Sequence, residues 1–518
     1  MIRSIFSVGG WTLVSRLTGF IRDIVMAAVL GAGPIADAFY IAFRLPNHFR
    51  AIFAEGAFNA AFVPAYARVK TQDGPVSARH FADRMLTAVV VVQFAFLGLA
   101  LAATPWVVGL LAPGLSDDPQ RFDLTVDFTR ITFPYLGLIA VVTLVGGVLN
   151  ANDRFWAAAA ASILLNLAMV GTLSVAGLFP TAGHAASWGV LISGFLQVGL
   201  LVFDAGTHGL GLRFGRPRLD PETRRFLKAL GPAILGSAGI QLAIFADTLI
   251  ASFLPQGAIA ALFYADRINQ LPIGVVGIAA GIVLLPEMSR RIAAGDDAGA
   301  RHAQARAIEL TLLLALPFMA GALAVPELTM RALFMRGAFT AEAAAAAGAT
   351  LAAYGVGLVP FVILRAFMAP FYARGDTRTP VIATLLAAGV NIALKIALMD
   401  QFAQVGLAFA TSVGGWVNLA LLIWFARRQG ILAGDAALFR ALPRLALATL
   451  VLGGVLYGVA RLALPFTNAL PVFREETRLL LCLVLGGAVY AVLIWLTIGR
   501  RQLRELVRSR PAPVKPAP

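Results

Sequence analysis

Residues Met85–Ala112 read MLTAVVVVQFAFLGLALAATPWVVGLLA, without one ionisable side chain. A helix needs about 20 apolar residues to cross the hydrocarbon core of a bilayer. This run exceeds that length, so it reads as a membrane span. Working outward, a basic stretch precedes it, with Arg68, Lys70, Arg79 and Arg84. A short stretch poor in basic residues, Pro113–Asp118, follows it. The same alternation recurs along the chain. Fourteen apolar runs lie near 5–30, 35–66, 82–112, 124–150, 155–178, 184–204, 226–254, 258–288, 305–335, 343–372, 379–399, 403–426, 440–464 and 476–498. The fold class predicted is an all-α polytopic membrane protein with 14 transmembrane helices.

The composition points the same way. Of 518 residues, 59% are hydrophobic and 13% charged, and the mean hydropathy is +0.81. A soluble protein carries about 25% charged residues. So apolar a chain cannot hide its surface in one or two aqueous cores. A cytosolic enzyme, a secreted scaffold and a disordered chain are excluded. The net charge of +15 would suggest nucleic acid in a soluble protein. Here the basic residues sit in short clusters between apolar runs, so they set membrane orientation and no nucleic-acid partner is expected. The single cysteine, Cys482, excludes a disulfide framework and a cysteine metal site. Arg16, Arg22 and Asp23 interrupt the first run, which is also too long for a cleavable signal peptide.

Basic loops alternate with loops poor in basic residues. The first set holds Arg68–Arg84, Arg213–Lys228, Arg290–Arg306 and Arg427–Arg444. The second set holds Gly31–Pro34, Pro113–Asp118, Phe179–Gly183, Leu254–Gly257 and Asp400–Gln404. The positive-inside rule then puts both termini in the cytoplasm, in agreement with an even number of spans. The end of the chain is a Pro/Arg-rich stub.

Two segments repeat at a constant offset. VPAYARVKTQDGPVSARH (Val63–His80) lies over LPEMSRRIAAGDDAGARH (Leu285–His302), pairing Pro64 with Pro286 and Arg68 with Arg290. NDRFWAAAAASILLN (Asn152–Asn166) resembles GDTRTPVIATLLAAGVN (Gly375–Asn391), with Asp153 over Asp376. The offset covers six spans, an even number, so both copies have one orientation and the repeat is parallel. The expected organisation is an N-lobe over 1–205, a C-lobe over 206–430, two added helices over 431–500 and a cytoplasmic tail over 501–518. Two similar bundles would enclose a cavity and rock to give alternating access.

Charges at membrane depth are functional candidates, because each costs at least ~2.5–3.5 kcal/mol to insert. They concentrate in the spans that open each repeat: Ser15, Arg16, Arg22 and Asp23 in span 1 and Asp37, Arg44 and Arg50 in span 2. Span 7 has Asp247, and span 8 has Asp266 and Arg267; Arg365 and Lys395 lie in spans 10 and 11. Residues seven apart on a helix differ by about 20° in direction. Arg16 and Asp23 therefore share a face, as do Ser15 and Arg22, and Asp37 and Arg44. Pro46-Asn47 is expected to kink span 2 and turn Arg50 toward the same space. Asp23 and Asp37 are expected to hold the arginines charged and inward. Arginines in a cavity call for an anion, and guanidinium binds phosphate bidentately. The expected substrate is a phosphate-bearing amphiphile or organic anion.

SRLTGFIRD (Ser15–Asp23), DAFYIAFRLPNHFRAIFAEGAFNAAFVPAY (Asp37–Tyr66) and FYADRINQLPIGVVGIAAGIVLLPEMS (Phe263–Ser289) give the chain a family resemblance. It resembles the lipid II flippase family, called MurJ or MviN, within the multidrug/oligosaccharidyl-lipid/polysaccharide exporter superfamily. The resemblance covers nearly the whole chain. It implies a role in peptidoglycan and cell wall biogenesis at the bacterial inner membrane. There lipid II, an undecaprenyl-pyrophosphate-linked sugar-pentapeptide, would move from the cytoplasmic to the periplasmic leaflet. Implied partners are lipid II, membrane lipids and cell-wall synthesis proteins, with no cofactor.

The family's cavity arginines fall on Arg16, Arg22, Arg50 and Arg267, with polar partners on Ser15, Asp23, Asp37 and Asn47; Asp266 stands beside the last arginine. The added helices resemble a groove for the lipid tail. Where many members have an acid three residues after the Arg of ADR, this chain has Gln270. The family's cation site falls on Asp247, Asn391, Lys395 and Thr411, where Lys395 replaces an acid and is expected to exclude Na⁺. Glu55-Gly56, with Gly277 and Gly281, are expected to act in conformational switching, against the alternative of ordinary small-residue packing.

Other readings make different demands. A flippase or exporter of another polyprenyl-linked oligosaccharide or amphiphile of the same superfamily is the alternative. A drug exporter would favour acids and aromatics over arginines. A membrane enzyme would need a catalytic loop, yet His48, His80, His184, His208 and His302 are scattered and the loops are short.

Overall fold

The computed structural model describes the backbone of residues 2–50, 57–216, 220–431 and 436–507. It describes the side chains of 10–44, 58–59, 61–216, 220–232, 245–277, 284–431 and 438–497. All regular structure among these residues is helical. The chain begins with α1 (Ile2–Leu30), α2 (Pro34–Arg50), α3 (Ala57–Ala102), α4 (Thr104–Leu111), α5 (Pro119–Thr132) and α6 (Pro134–Asn150). It continues with α7 (Trp156–Ser174), α8 (Ala182–Thr207), α9 (Pro221–Ala251) and α10 (Ala258–Pro272). A π-helical turn, Ile273–Gly277, joins α10 to α11 (Ile278–Ala293). Then come α12 (Asp297–Ala324), α13 (Pro326–Phe334), α14 (Ala341–Val356), α15 (Leu358–Ala373) and α16 (Arg378–Arg428). The last are α17 (Ala436–Leu462), α18 (Leu464–Asn468) and α19 (Arg474–Val507).

The helix boundaries follow local chemistry. Asp118 and Asp220 each precede a proline, and each accepts a backbone N–H from the first turn of its helix, Arg121 and Thr223 respectively. Thr340 caps α14 in the same way through Ala343. Glycine in the left-handed region turns the chain elsewhere: Gly74 (φ 85°) interrupts α3, and Gly295 (φ 72°) separates α11 from α12. The two matched repeat segments therefore both fold as helix, left-handed glycine, helix. Asp153 (φ 59°) and Gly375 (φ 79°) turn the chain in the second matched pair. α16 breaks at Ala403 (φ 44°, ψ −128°), the first residue of the run predicted at 403–426.

Among the described residues, nine helical stretches are long and apolar enough to cross a membrane. They cover most of ten of the fourteen predicted runs, and Ala61–Ala102 also takes in the end of the 35–66 run. The other four, 5–30, 35–66, 226–254 and 258–288, each include side chains outside the described set.

The chain divides into two compact units. The first is Met1–Ala260 with the turn Arg336–Phe339; the second is Ala261–Met335 with Thr340–Pro518. In the first, α7 packs on α1 and α8, α3 on α6 and α9, and α2 on α5. Phe58, Phe62, Phe81 and Phe226 stack between α3 and α9, with ring centroids of neighbours 5.3–6.4 Å apart. Gly147 makes room for them, since a Cβ there would lie 3.0 Å from the Phe62 ring. In the second, a core including Leu284, Leu312, Val362, Phe371, Leu422 and Leu445 joins α11, α12, α15, α16 and α17.

Candidate functional site

In the first unit the predicted arginines divide by environment. Arg22 is 6% exposed and Asp23 3% exposed, both on α1. The Arg22 Nη2 and Nε donate to Asp23 Oδ1 at 2.7 and 3.1 Å. Its Nη1 donates to Asn166 Oδ1 on α7 at 3.0 Å. The Asn166 amide donates onward to the Ser15 carbonyl (3.1 Å) and the Thr18 hydroxyl (3.0 Å). A carboxylate and an amide oxygen thus keep a buried guanidinium charged and fixed. Arg16 differs. Its side chain is exposed and has no ion-pair partner among the described residues. Seven-residue spacing aligns Arg16 with Asp23, but Asp23 turns to the adjacent Arg22. Arg22 is within reach without any helix crossing.

Asp37 is completely buried. It accepts the backbone N–H of Gly257 at 2.6 Å and of Ala260 at 2.9 Å, and Arg121 Nη1 lies 3.4 Å from its Oδ2. Arg121 also donates to the Leu254 carbonyl (3.2 Å), and its Nε lies 2.9 Å from Asp118 Oδ2. The expected partner of Asp37 was an arginine of its own span, such as Arg44. The structure corrects this: the partner is Arg121 of α5, because α2 packs along α5 and the unpaired amides at the start of α10 face the same carboxylate. Nearby, the Gln256 amide and the Arg121 backbone N–H hold the Asp118 carboxyl below its ordinary range.

Asn47 and Arg50 lie on α2, but their side chains are outside the described residues, as is the side chain of Gly281. Glu55 and Gly56 are outside them altogether. Asp247, on α9, is half-buried.

In the second unit Arg267 is half-buried, with its guanidinium 4.8 Å from the centroid of the Phe263 ring. The ring face attracts the cation. Asp266 accepts the Gln270 amide at 3.4 Å. The π-helical turn follows Pro272, whose ring removes a helical hydrogen bond. Gly277 closes that turn, where a Cβ would lie 3.3 Å from Val362 Cα and O, a tight fit against the α15 backbone. Lys395 is 3% exposed. The Asn391 Oδ1 is buried without a hydrogen-bond partner among the described residues, and the Thr411 hydroxyl donates to the Leu407 carbonyl at 3.0 Å. Gly414 packs on Asn391, so the two arms of α16 meet there. Among the described residues no cluster of His, Cys, Asp or Glu is arranged to hold a metal ion.

Sequence reasoning missed Arg121 and the role of Asn166. Arg121 lies in a polar helix, PQRFDLTVDFTRIT, where its charge reads as solvated. Asn166 had a signal, as the buried Asn of the second repeat match, but not its bond to Arg22.

The model of the family "Lipid II flippase MurJ" matches residues 26–472. The probable lipid II flippase MurJ of Rhizobium meliloti is 41% identical over 98% of this chain and 96% of its own length. The lipid II flippase MurJ of Burkholderia cenocepacia is 34% identical, covering 96% and 97%. A solved lipid II flippase MurJ in an inward closed conformation has the same fold, with a TM-score of 0.78 at 22% identity over 97% of this chain and 99% of that one. An inward-facing multidrug resistance MATE family transporter of the MOP superfamily gives 0.67 at 15% identity, covering 82% and 96%. The chain belongs to the lipid II flippase MurJ family.

Proposed function

We propose that this member of the family flips lipid II from the cytoplasmic to the periplasmic leaflet by alternating access. Arg16, Arg22, Arg50 and Arg267 hold its pyrophosphate. The observation that carries this is the Arg22–Asp23–Asn166 node, a permanently charged donor fixed inside an apolar span. A pyrophosphate with a sugar-peptide headgroup cannot cross hydrocarbon unaided, because burying bare charge is prohibitive. The arginines replace its water while the polyprenyl tail stays in lipid. Ser15, Asp23, Asn47 and Asp266 support them, and Glu55 and Gly56 act in the conformational switch. Outward movement of negative charge runs with an inside-negative potential, worth ~2.3 kcal/mol per charge per 100 mV when the full field is crossed.

The proposed organisation is fourteen spans with both termini cytoplasmic, in two six-helix lobes (1–205 and 206–430) related by a parallel repeat. The pair over 431–500 forms the tail groove, and 501–518 is the cytoplasmic tail. The matching left-handed turns at Gly74 and Gly295 support the repeat. The test is complementation. A host depleted of its lipid II flippase is expected to grow when it expresses this chain, and the Arg22→Ala protein, at equal abundance, is not. Normal growth with Arg22→Ala removes the arginine mechanism.

A further inference from the structure

Arg365 takes no part in the mechanism above. It stands within LVPFVILRAFMAPFYA, the whole of α15, as its one charged residue. Val362, Ile363, Ala366 and Phe367 around it are buried, yet its own side chain is exposed and has no ion-pair partner among the described residues. A snorkelling arginine would explain exposure near a helix end. Arg365 lies eight residues before the end of α15 at Ala373, about 12 Å at 1.5 Å per residue. Under the proposed orientation α15 runs toward the cytoplasm. Helical Cα–Cβ bonds tilt toward the N-terminus, so this side chain starts out aimed away from the nearer interface. An arginine facing lipid at that depth is unfavourable, and one facing a water-filled path is not.

The depth of Arg365 relative to Arg267 is set within the second unit. The π-helical turn touches α15 where Gly277 meets Val362. α11 and α15 run parallel, since each follows the opposite direction to α12. Arg267 lies ten residues before Gly277, and Arg365 three residues beyond Val362. The thirteen intervening positions separate the two Cα atoms by roughly 20 Å along the helices. That offset places Arg365 nearer the cytoplasmic end of the second unit than Arg267.

We propose that Arg365 is a further substrate-binding residue, which takes the pyrophosphate of lipid II on the cytoplasmic side before Arg267 does. This rests on the flippase reading. The test reconstitutes the full chain in vesicles and follows fluorescent lipid II from leaflet to leaflet. Arg365→Gln keeps most of the side chain and is expected to raise the half-saturating lipid II density about tenfold. Its maximal rate should stay within about twofold and its melting temperature unchanged. Arg365→Lys is expected to recover most of the loss. An unchanged half-saturation in Arg365→Gln, or a fall in maximal rate alone, overturns the proposal. A photoreactive side chain at Met368, on the same face of α15, tests it without touching Arg365. It should capture lipid II, and capture of bulk phospholipid alone also overturns it. Failure of the unmutated chain to flip lipid II removes the flippase reading itself, and this proposal with it.

Discussion

The carboxylate of Asp37 accepts the backbone N–H of Gly257 at 2.6 Å, across 220 residues of chain. With the Ala260 N–H and the Arg121 guanidinium, it gathers three donors from two distant segments of the first unit. The two amides belong to the start of α10, where N–H groups have no helical acceptor. A carboxylate there is favoured by the helix dipole as well as by hydrogen bonding.

Removal of the Asp37 carboxylate is therefore expected to be costly. Asp37→Ala leaves two buried amides and half of an ion pair without their acceptor. Breaking a buried pair costs about 3–5 kcal/mol, with the low end expected because Arg121 keeps Asp118. Asp37→Asn retains one acceptor oxygen and should lose less. Thermal unfolding in detergent ranks the three proteins. Equal stability of Asp37→Ala and the unmutated chain would show that the amides find water instead.

Asp118 links this cluster to pH. Its carboxyl is held below the ordinary aspartate range, first by the Gln256 amide and then by the Arg121 N–H. A group with a depressed folded pKa stabilises the fold above its unfolded value, about 3.9, and loses that contribution as pH falls through the folded value. The stability gap between the unmutated chain and Asp118→Asn should be full at pH 7 and shrink below about pH 4. A gap that does not change with pH contradicts the ionic role.

Asn166 should matter to transport without touching the substrate. A hydrogen bond to a charged group contributes about 1.5–3 kcal/mol. Asn166→Ala releases Arg22 Nη1 and is expected to slow flipping about tenfold at normal abundance. Asn166→Ala and Arg22→Lys should be non-additive in a double-mutant cycle, because both act on one bond. Full additivity would mean that Asn166 merely packs against α1.

A steric pair offers a control on backbone geometry. Gly337 has φ 55°, and a Cβ on it would lie 2.2 Å from the Ala28 carbonyl. Gly31 (φ 68°) is reciprocal, with Ala338 O only 2.5 Å away. Gly209 (φ 70°) has no neighbour within 4 Å. Gly209→Ala should cost about 1 kcal/mol from its backbone alone. Gly337→Ala must also displace the Ala338 N–H to Ala28 carbonyl bond of 2.7 Å, so a loss at least twice as large is expected. Calorimetric unfolding of the two variants decides it.

The legibility of the sequence varied with the range of the interaction. Helical runs were readable because hydrophobicity is local: Met85–Ala112 announces a span with no knowledge of its neighbours. Arg22 was readable because a charge at membrane depth must be compensated somewhere. Its partner was not, because the Asn166 bond joins positions 144 apart. Seven-residue spacing gives directions around one helix, and it could not reveal that Asp37 would meet Arg121 from another. The π-helical turn of span 8 was not read from the sequence: it ends where Gly277 lies against Val362, a contact between residues 85 apart that no local pattern displays.

Lys395 carries the last prediction, that transport does not depend on Na⁺. Asn391 and Thr411 carry oxygens of the type that binds a hard cation, and the Asn391 Oδ1 is a buried acceptor without a hydrogen-bond partner among the described residues. Lys395 lies one helical turn from Asn391 on the same face. Its side chain is 3% exposed, so the ammonium is held inside the second unit and does not reach outward to an interface. A buried ammonium one helical turn from these oxygens repels a second cation and weakens its binding. The driving force then falls to the membrane potential or another ion. Flipping measured in vesicles at clamped potential should be flat as Na⁺ is varied. Lys395→Asp, which replaces the ammonium by an oxygen ligand, should introduce a saturable Na⁺ dependence that Asn391→Ala abolishes. A steep Na⁺ requirement in the unmutated chain would mean that the ammonium points away from these oxygens.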